Sequence, residues 1–112
     1  MNAAILWYFA DPMCSWCWGF SPVIETVRDE YRERMKIALV LGGLRPAETA
    51  PLTAAGREDI LHHWQQVHAR TGQPFHLDNA LPPDFVYDTE PASRAVLALG
   101  GIEPTLIFPL FR

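Results

Sequence analysis

The chain has two cysteines, three positions apart, in the run Cys14-Ser15-Trp16-Cys17. A pair at this spacing can close a small ring, cycle between dithiol and disulfide, and pass oxidation to another molecule. The thiolate is the nucleophile, and an ordinary cysteine, with a pKa of about 8.5, is mostly protonated at neutral pH. The chemistry therefore depends on what surrounds the sulfur. A helix N-terminus presents unpaired backbone N–H groups and roughly half a positive charge, which favour an anion. Cys14 stands where an apolar run has ended and a helical pattern is about to begin. It is expected to be the exposed, low-pKa nucleophile. Cys17, one turn further in, is expected to be the more buried, protonated thiol that resolves a mixed disulfide. Neither Ser15 nor Trp16 is a cation, so the helix start must supply most of the pKa depression.

The elements that position the pair can be read from apolar spacing. Ile5-Leu6-Trp7-Tyr8-Phe9 is apolar without alternation and is stopped by Asp11-Pro12. This predicts a strand buried on both faces, as in a parallel sheet. Val23, Ile24, Val27, Tyr31 and Met35 then recur at steps of three and four, which predicts one buried helix face. Glu25/Arg28, Asp29/Arg32 and Glu30/Arg34 supply opposite charges on its solvated side. Pro22 should bend this helix. Ile37-Ala38-Leu39-Val40-Leu41 is a second strand, closed by Gly42-Gly43. Strand, helix and strand at these lengths make a βαβ unit with parallel strands.

Around the pair, Asp11-Pro12 should turn the chain sharply off the first strand. Ser15 is placed to donate a hydrogen bond to the Cys14 thiolate. Met13, Trp16 and Trp18 would form an apolar apron for a client chain. Asp11, Pro12, Ser15 and Trp16 are thus the candidate substrate-binding or pKa-tuning residues, with Cys14 and Cys17 the candidate catalytic ones.

Beyond Gly43 the character changes. Pro46 and Pro51 punctuate a linker. A second amphipathic helix carries Ile60, Leu61, Trp64, Val67 and His68 on one stripe, with Gly72 as its stop. Residues 73–87 read as an ordered loop. Thr89 or Asp88 caps a third helix, with Pro91 in its first turn, Ala95, Val96 and Leu99 as its buried face, and Gly100-Gly101 as its end. Two strands do not make a stable sheet alone. The apolar tail Leu106-Ile107-Phe108-Pro109-Leu110-Phe111 also ends abruptly. The expectation is a truncated piece of a longer domain, or a chain that gains strands from a partner, a homo-oligomer included.

Composition narrows the class. With 112 residues there is one domain or part of one, and 49% hydrophobic with 20% charged residues describes a soluble globular chain rather than a disordered one. A net charge of −4 offers no basic patch for nucleic acid. No run approaches a membrane span of about 20 apolar residues. No Lys or Arg precedes Arg28 and the first apolar run is short, so no secretory signal is read. The expected location is the cytoplasm, where a cysteine pair means catalysis or metal more often than a structural disulfide.

The segment Tyr8-Phe9-Ala10-Asp11-Pro12-Met13-Cys14-Ser15-Trp16-Cys17-Trp18-Gly19-Phe20 resembles the active-site region of the DsbA-like thioredoxin-fold proteins. It is most similar to the branch described as predicted cytoplasmic protein-disulfide isomerases. The segments Leu41–Pro46, His63-Trp64, Thr71–Phe75 and Tyr87–Ala95 agree, so the resemblance runs along the whole chain. It implies an α/β thioredoxin-like βαβ half over residues 1–43, then a helical insertion over residues 44–112. It also implies thiol–disulfide exchange with no cofactor, acting on protein or small-molecule disulfides and thiols, glutathione among them. Chains of that family continue into two further strands, a last helix and a cis-proline beside the cysteines. Pro104-Thr105-Leu106-Ile107-Phe108 is superficially similar to the cis-proline strand, but Pro104 is read here as starting a helix.

Two other functions compete. Kappa-class glutathione transferases and 2-hydroxychromene-2-carboxylate isomerases are similar, but typically carry serine where Cys14 stands. A non-catalytic metal- or partner-binding module would use the C-x-x-C as half of a zinc site. His63 and His68 have finger-like spacing but lie far along the chain, and no metal site is expected. His62, His63, His68 and His76 are read as packing or surface residues.

Overall fold

The structure, a computed structural model, describes residues 4–112. Strand β1 (Ala4–Ala10) leads through a turn into helix α1 (Ser15–Tyr31), and strand β2 (Met35–Leu41) returns parallel to β1. Tyr8 lies opposite Leu39 and Ala10 opposite Leu41. Then come α2 (Ala54–Thr71), α3 (Glu90–Ile102), a 3-10 turn over Pro104–Leu106, and the short α4 (Ile107–Phe111). The expected βαβ unit and the helical region after it are both present. Within the unit, Met35 belongs to β2 rather than to the helix. The helix stops at Tyr31, whose carbonyl accepts from the Arg34 N–H, and this turn starts the strand.

Expected burial of β1 on both faces is not what the described residues show. Alternate side chains of a strand point to opposite faces. Tyr8 and Ala10, with Leu39 and Leu41, pack on the cluster of Val96 and Phe111. Trp7 and Phe9 are 60% and 70% exposed on the other side. One helical layer covers one face, and the two-stranded sheet leaves β1 at an edge. The shape agrees, with extents of 54 × 30 × 17 Å. The radius of gyration is 15.7 Å, where a closed domain of this length has about 13 Å.

α1 bears on both helical neighbours. Of its predicted face only Ile24 is buried, while Val23 and Tyr31 are exposed. The closest approach is at Gly19, where an added Cβ would stand 2.7 Å from Val67 Cγ1 and 2.9 Å from Thr71 Cγ2 of α2. The side expected to be solvated is partly used. Glu25 pairs with Arg112 at 2.6 Å, and the Arg28 guanidinium lies 3.9 Å from the Phe108 ring centre, so both fasten α4.

Pro22 removes the N–H that would bond the Trp18 carbonyl. That carbonyl accepts instead from Ser21 Oγ (2.8 Å) and Gln73 Nε2 (3.1 Å), so the helix interruption becomes an attachment point for the loop after α2.

Local signals set the helix ends. Thr53 accepts from the Gly56 N–H to cap α2, and Gly72 ends it with φ 75°, a conformation only glycine adopts cheaply. Both candidate residues serve α3. Asp88 accepts from the Glu90 N–H, while fully buried Thr89 is the N-cap residue and accepts from the Arg45 N–H. Gly100-Gly101 do not end α3, which runs on to Ile102. Gly100 is buried because the Ile107 side chain fills the space a Cβ would take. Pro104 begins the 3-10 turn.

Candidate active site

Asp11 organises the turn between β1 and α1. It is 4% exposed, yet both carboxylate oxygens are bonded. Oδ1 accepts from the Met13 N–H (2.8 Å), an arrangement favoured by Asp at a turn, and Oδ2 accepts from the Leu44 N–H just beyond β2 (3.0 Å). The Cys14 N–H donates to the Asp11 carbonyl (3.1 Å), closing a β-turn with Pro12 at its second position, where fixed φ suits it. The Tyr87 hydroxyl donates to the Met13 carbonyl from the far side. The residue before Cys14 is thus held by groups 2 and 74 positions distant in sequence.

Cys14 is the N-cap residue of α1, and Cys17 lies in its first turn. Both are unpaired thiols of intermediate burial. Cys14 is lowered to a pKa of about 6, first because the Cys17 side chain hydrogen-bonds its sulfur, then through the backbone groups of Cys17 and Trp16 at the helix start. Desolvation and the Asp11 charge oppose this. Cys17 moves the other way, pushed up beyond the ordinary thiol range by its bond to Cys14 and by burial. One thiol is set to ionise while its neighbour keeps a proton.

The remaining candidates take distinct places. Ser15 begins α1, and no hydrogen bond joins its hydroxyl to Cys14. Trp16 is 46% exposed and, with Cys17, Phe20 and Leu6, walls an open apolar groove of about 840 Å³. Trp18 does not join it as an apron, because its indole N–H donates to the Pro74 carbonyl (3.0 Å). A second, smaller hollow of about 240 Å³ between Phe9, Gly42 and Leu44 reaches Cys14.

His63 lies on α2, and His68 is engaged with the Gln73 carbonyl (2.7 Å). Among the described residues no three His, Cys, Asp or Glu side chains gather as a metal would need.

Tyr8, Leu44, Gln73 and Tyr87 were not singled out as site residues from sequence. Tyr8 and Cys17 pack against the same core cluster, and the Tyr8 ring meets Phe20 and Phe111 edge-on at centroid distances of 6.2 and 6.1 Å. Burial, then the Cys17 charge, push the Tyr8 phenol up to about 12.

The fold that carries this thiol pair matches known proteins. The chain superimposes on the crystal structure of a candidate protein disulfide isomerase from Nitrosomonas europaea with a TM-score of 0.89 and 52% identity, over 98% of this chain and 52% of that one. The cytosolic disulfide reductase DsbM from Pseudomonas aeruginosa matches with a TM-score of 0.76 and 29% identity, over 96% and 50%. DsbM has also been solved with GSH. Among curated proteins, the ClpXP adapter protein SpxH of Halalkalibacterium halodurans is 29% identical over 73 residues, 62% of this chain and 24% of SpxH. No family model matches the chain. The fold is thus that of the DsbA-like thioredoxin-fold proteins, as the sequence resemblance implied. Proteins described as a disulfide isomerase and a disulfide reductase share it, and the chain spans about half their length.

Proposed function

We propose that this chain carries the redox centre of a thiol–disulfide oxidoreductase, with Cys14 as nucleophile and Cys17 as resolving thiol. The observation that carries the proposal is the placement of two free thiols at one helix start, Cys14 as the N-cap residue and Cys17 in the first turn. The Cys14 thiolate attacks one sulfur of a disulfide, forming a mixed disulfide and expelling a thiolate. Cys17 then loses its proton to solvent and attacks Cys14 Sγ, releasing the second thiolate and leaving a Cys14–Cys17 disulfide. Two electrons pass from the protein to the substrate. A thiol reductant reverses the sequence, and glutathione is the small thiol to try first, given that DsbM has been solved with GSH. The likeness to a cytosolic reductase supports a cytoplasmic setting, and no helix among the described residues is long and apolar enough to cross a membrane.

The test is reduction of protein and glutathione disulfides by the wild-type chain and by Cys14→Ser. Loss of turnover in Cys14→Ser is expected. Undiminished turnover would remove Cys14 as nucleophile.

A further inference from the structure

A peptide unit is planar, so holding its two polar ends holds the whole unit. The Met13–Cys14 peptide is held at both. Its N–H donates to the Asp11 carbonyl (3.1 Å), and its carbonyl accepts from the Tyr87 hydroxyl. Cys14 follows with φ −86° and ψ 120°, the extended conformation of an N-cap residue. Its own carbonyl already belongs to the helix, accepting from the Trp18 N–H (3.1 Å). Of the hydrogen bonds made by Met13 and Cys14 among the described residues, only that from Tyr87 reaches outside residues 11–18.

Tyr87 is fixed in place as a donor. It is buried, its ring meets Phe85 edge-on at 6.1 Å between centroids, and the Arg45 guanidinium lies 4.9 Å from the ring centre. The stretch around it is strapped to the segment after β2. The Leu52 N–H donates to the Phe85 carbonyl (2.9 Å), and the Ala47 N–H donates to Asp88 Oδ1 (3.0 Å). Thr89 and Arg45 exchange two bonds of 3.0 Å, from the Thr89 N–H to the Arg45 carbonyl and from the Arg45 N–H to Thr89 Oγ1. A dipole fixed in advance needs no reorganisation when charge develops beside it. A carbonyl with a bonded donor also turns less negative charge toward a thiolate on the next residue. The charges that act on Tyr87 itself are those of Cys14, Arg45, Asp11 and Cys17, from the turn, from α1 and from the segment after β2.

Resting on the reading of Cys14 and Cys17 as a redox pair, we propose that Tyr87 is a positioning residue of that pair, its hydroxyl holding the Met13–Cys14 peptide so that Cys14 keeps the N-cap conformation from which it attacks a disulfide. Tyr87 acts through the peptide and takes no part in the exchange of bonds. The helical region that follows the βαβ unit thereby has a share in the chemistry, because it supplies the donor.

The experiment uses 5,5′-dithiobis(2-nitrobenzoate) on the fully reduced protein over a range of pH, with urea unfolding measured alongside. The first equivalent of coloured thiolate reports attack by Cys14. In Tyr87→Phe, which keeps the ring packing and removes the hydroxyl, the half-point of this reaction should rise by roughly half a pH unit, the scale of one neutral hydrogen bond acting through a neighbouring group. Thr89→Val is the control, because it removes an acceptor from the same strap but leaves the Tyr87 hydroxyl in place. It should lower the urea midpoint and leave the half-point where it is. An unchanged half-point in Tyr87→Phe, with Cys14 still reacting, would overturn the role of Tyr87 and leave the redox pair standing. A half-point that moves equally in Thr89→Val would also overturn it, since general anchoring would then account for the effect. A wild-type chain that forms no Cys14 adduct at all would overturn both the role of Tyr87 and the redox pair.

Discussion

Replacing Cys17 with Ala removes the group that contributes most to the low pKa of Cys14. A hydrogen bond to a charged acceptor contributes about 1.5–3 kcal/mol when well formed, and the half-exposed position of the pair argues for the lower end. At about 1.4 kcal/mol per unit, the Cys14 titration should climb by roughly one unit from its wild-type position. The helix-start N–H groups of residues 16 and 17 remain, so it should stay below that of an ordinary cysteine. The assay is the pH dependence of the first-equivalent reaction with a small aromatic disulfide.

Rate at a single pH is a poor readout. A thiolate of lower pKa is more abundant but intrinsically less nucleophilic, with a Brønsted slope of about 0.4–0.5, so the two effects nearly cancel around pH 7. At pH 6 the balance is one-sided. A Cys14 of pKa about 6 is half ionised, whereas a free cysteine is ionised to only about 0.3%, and the net advantage is roughly tenfold. The half-point of the profile is therefore the quantity to read, about 6 in the wild type and about one unit higher in Cys17→Ala. A wild-type half-point between pH 8 and 9, or one that does not move on removing Cys17, would refute the reasoning.

The same lowered pKa links stability to pH. Between the folded value of about 6 and the ordinary cysteine value of about 8.5, the unfolded chain holds the Cys14 proton that the folded chain releases. The reduced protein should therefore gain thermal stability as pH rises from 6 to 8, by about 1 kcal/mol after allowing for solvent screening. A flat profile, or one identical in Cys14→Ser, would contradict this. Asp11→Asn removes a charge that raises the Cys14 pKa and an acceptor for the Leu44 N–H. It should lower the reactivity half-point slightly while costing about 1–2 kcal/mol in chemical denaturation. A half-point that rises would show that turn geometry outweighs charge. Gly19→Ala forces a methyl against Val67 and Thr71 and should cost about 1–3 kcal/mol in the same measurement. No loss would mean that α1 and α2 separate freely.

Much of the frame was legible because its causes are local. The apolar runs, the Asp11-Pro12 stop, Gly72 in the left-handed conformation and Asp88 at the start of α3 each act within a few residues. What was not legible depends on distant partners. The unalternating β1 run implied two covered faces, but only one is covered among the described residues, so Trp7 and Phe9 stand exposed. Glu25 and Arg28 had charge partners on their own helix by spacing, yet they engage Arg112 and Phe108. Gly100 has the residue type of a helix end, but it serves as a seat for Ile107. At the site, Cys14 and Cys17 announce themselves by spacing. Tyr8 reads as one more aromatic in a strand, and nothing local links Tyr87 to Met13, which lies 74 positions away.

The most direct test of the central claim is to trap the mixed disulfide. Single-cysteine variants Cys17→Ser and Cys14→Ser would each be treated briefly with glutathione disulfide at pH 7, and the adduct mapped by peptide mass. The account predicts rapid glutathionylation of Cys14 in Cys17→Ser and little adduct on Cys17 in Cys14→Ser. Preferential modification of Cys17, or equal modification of both, would contradict it.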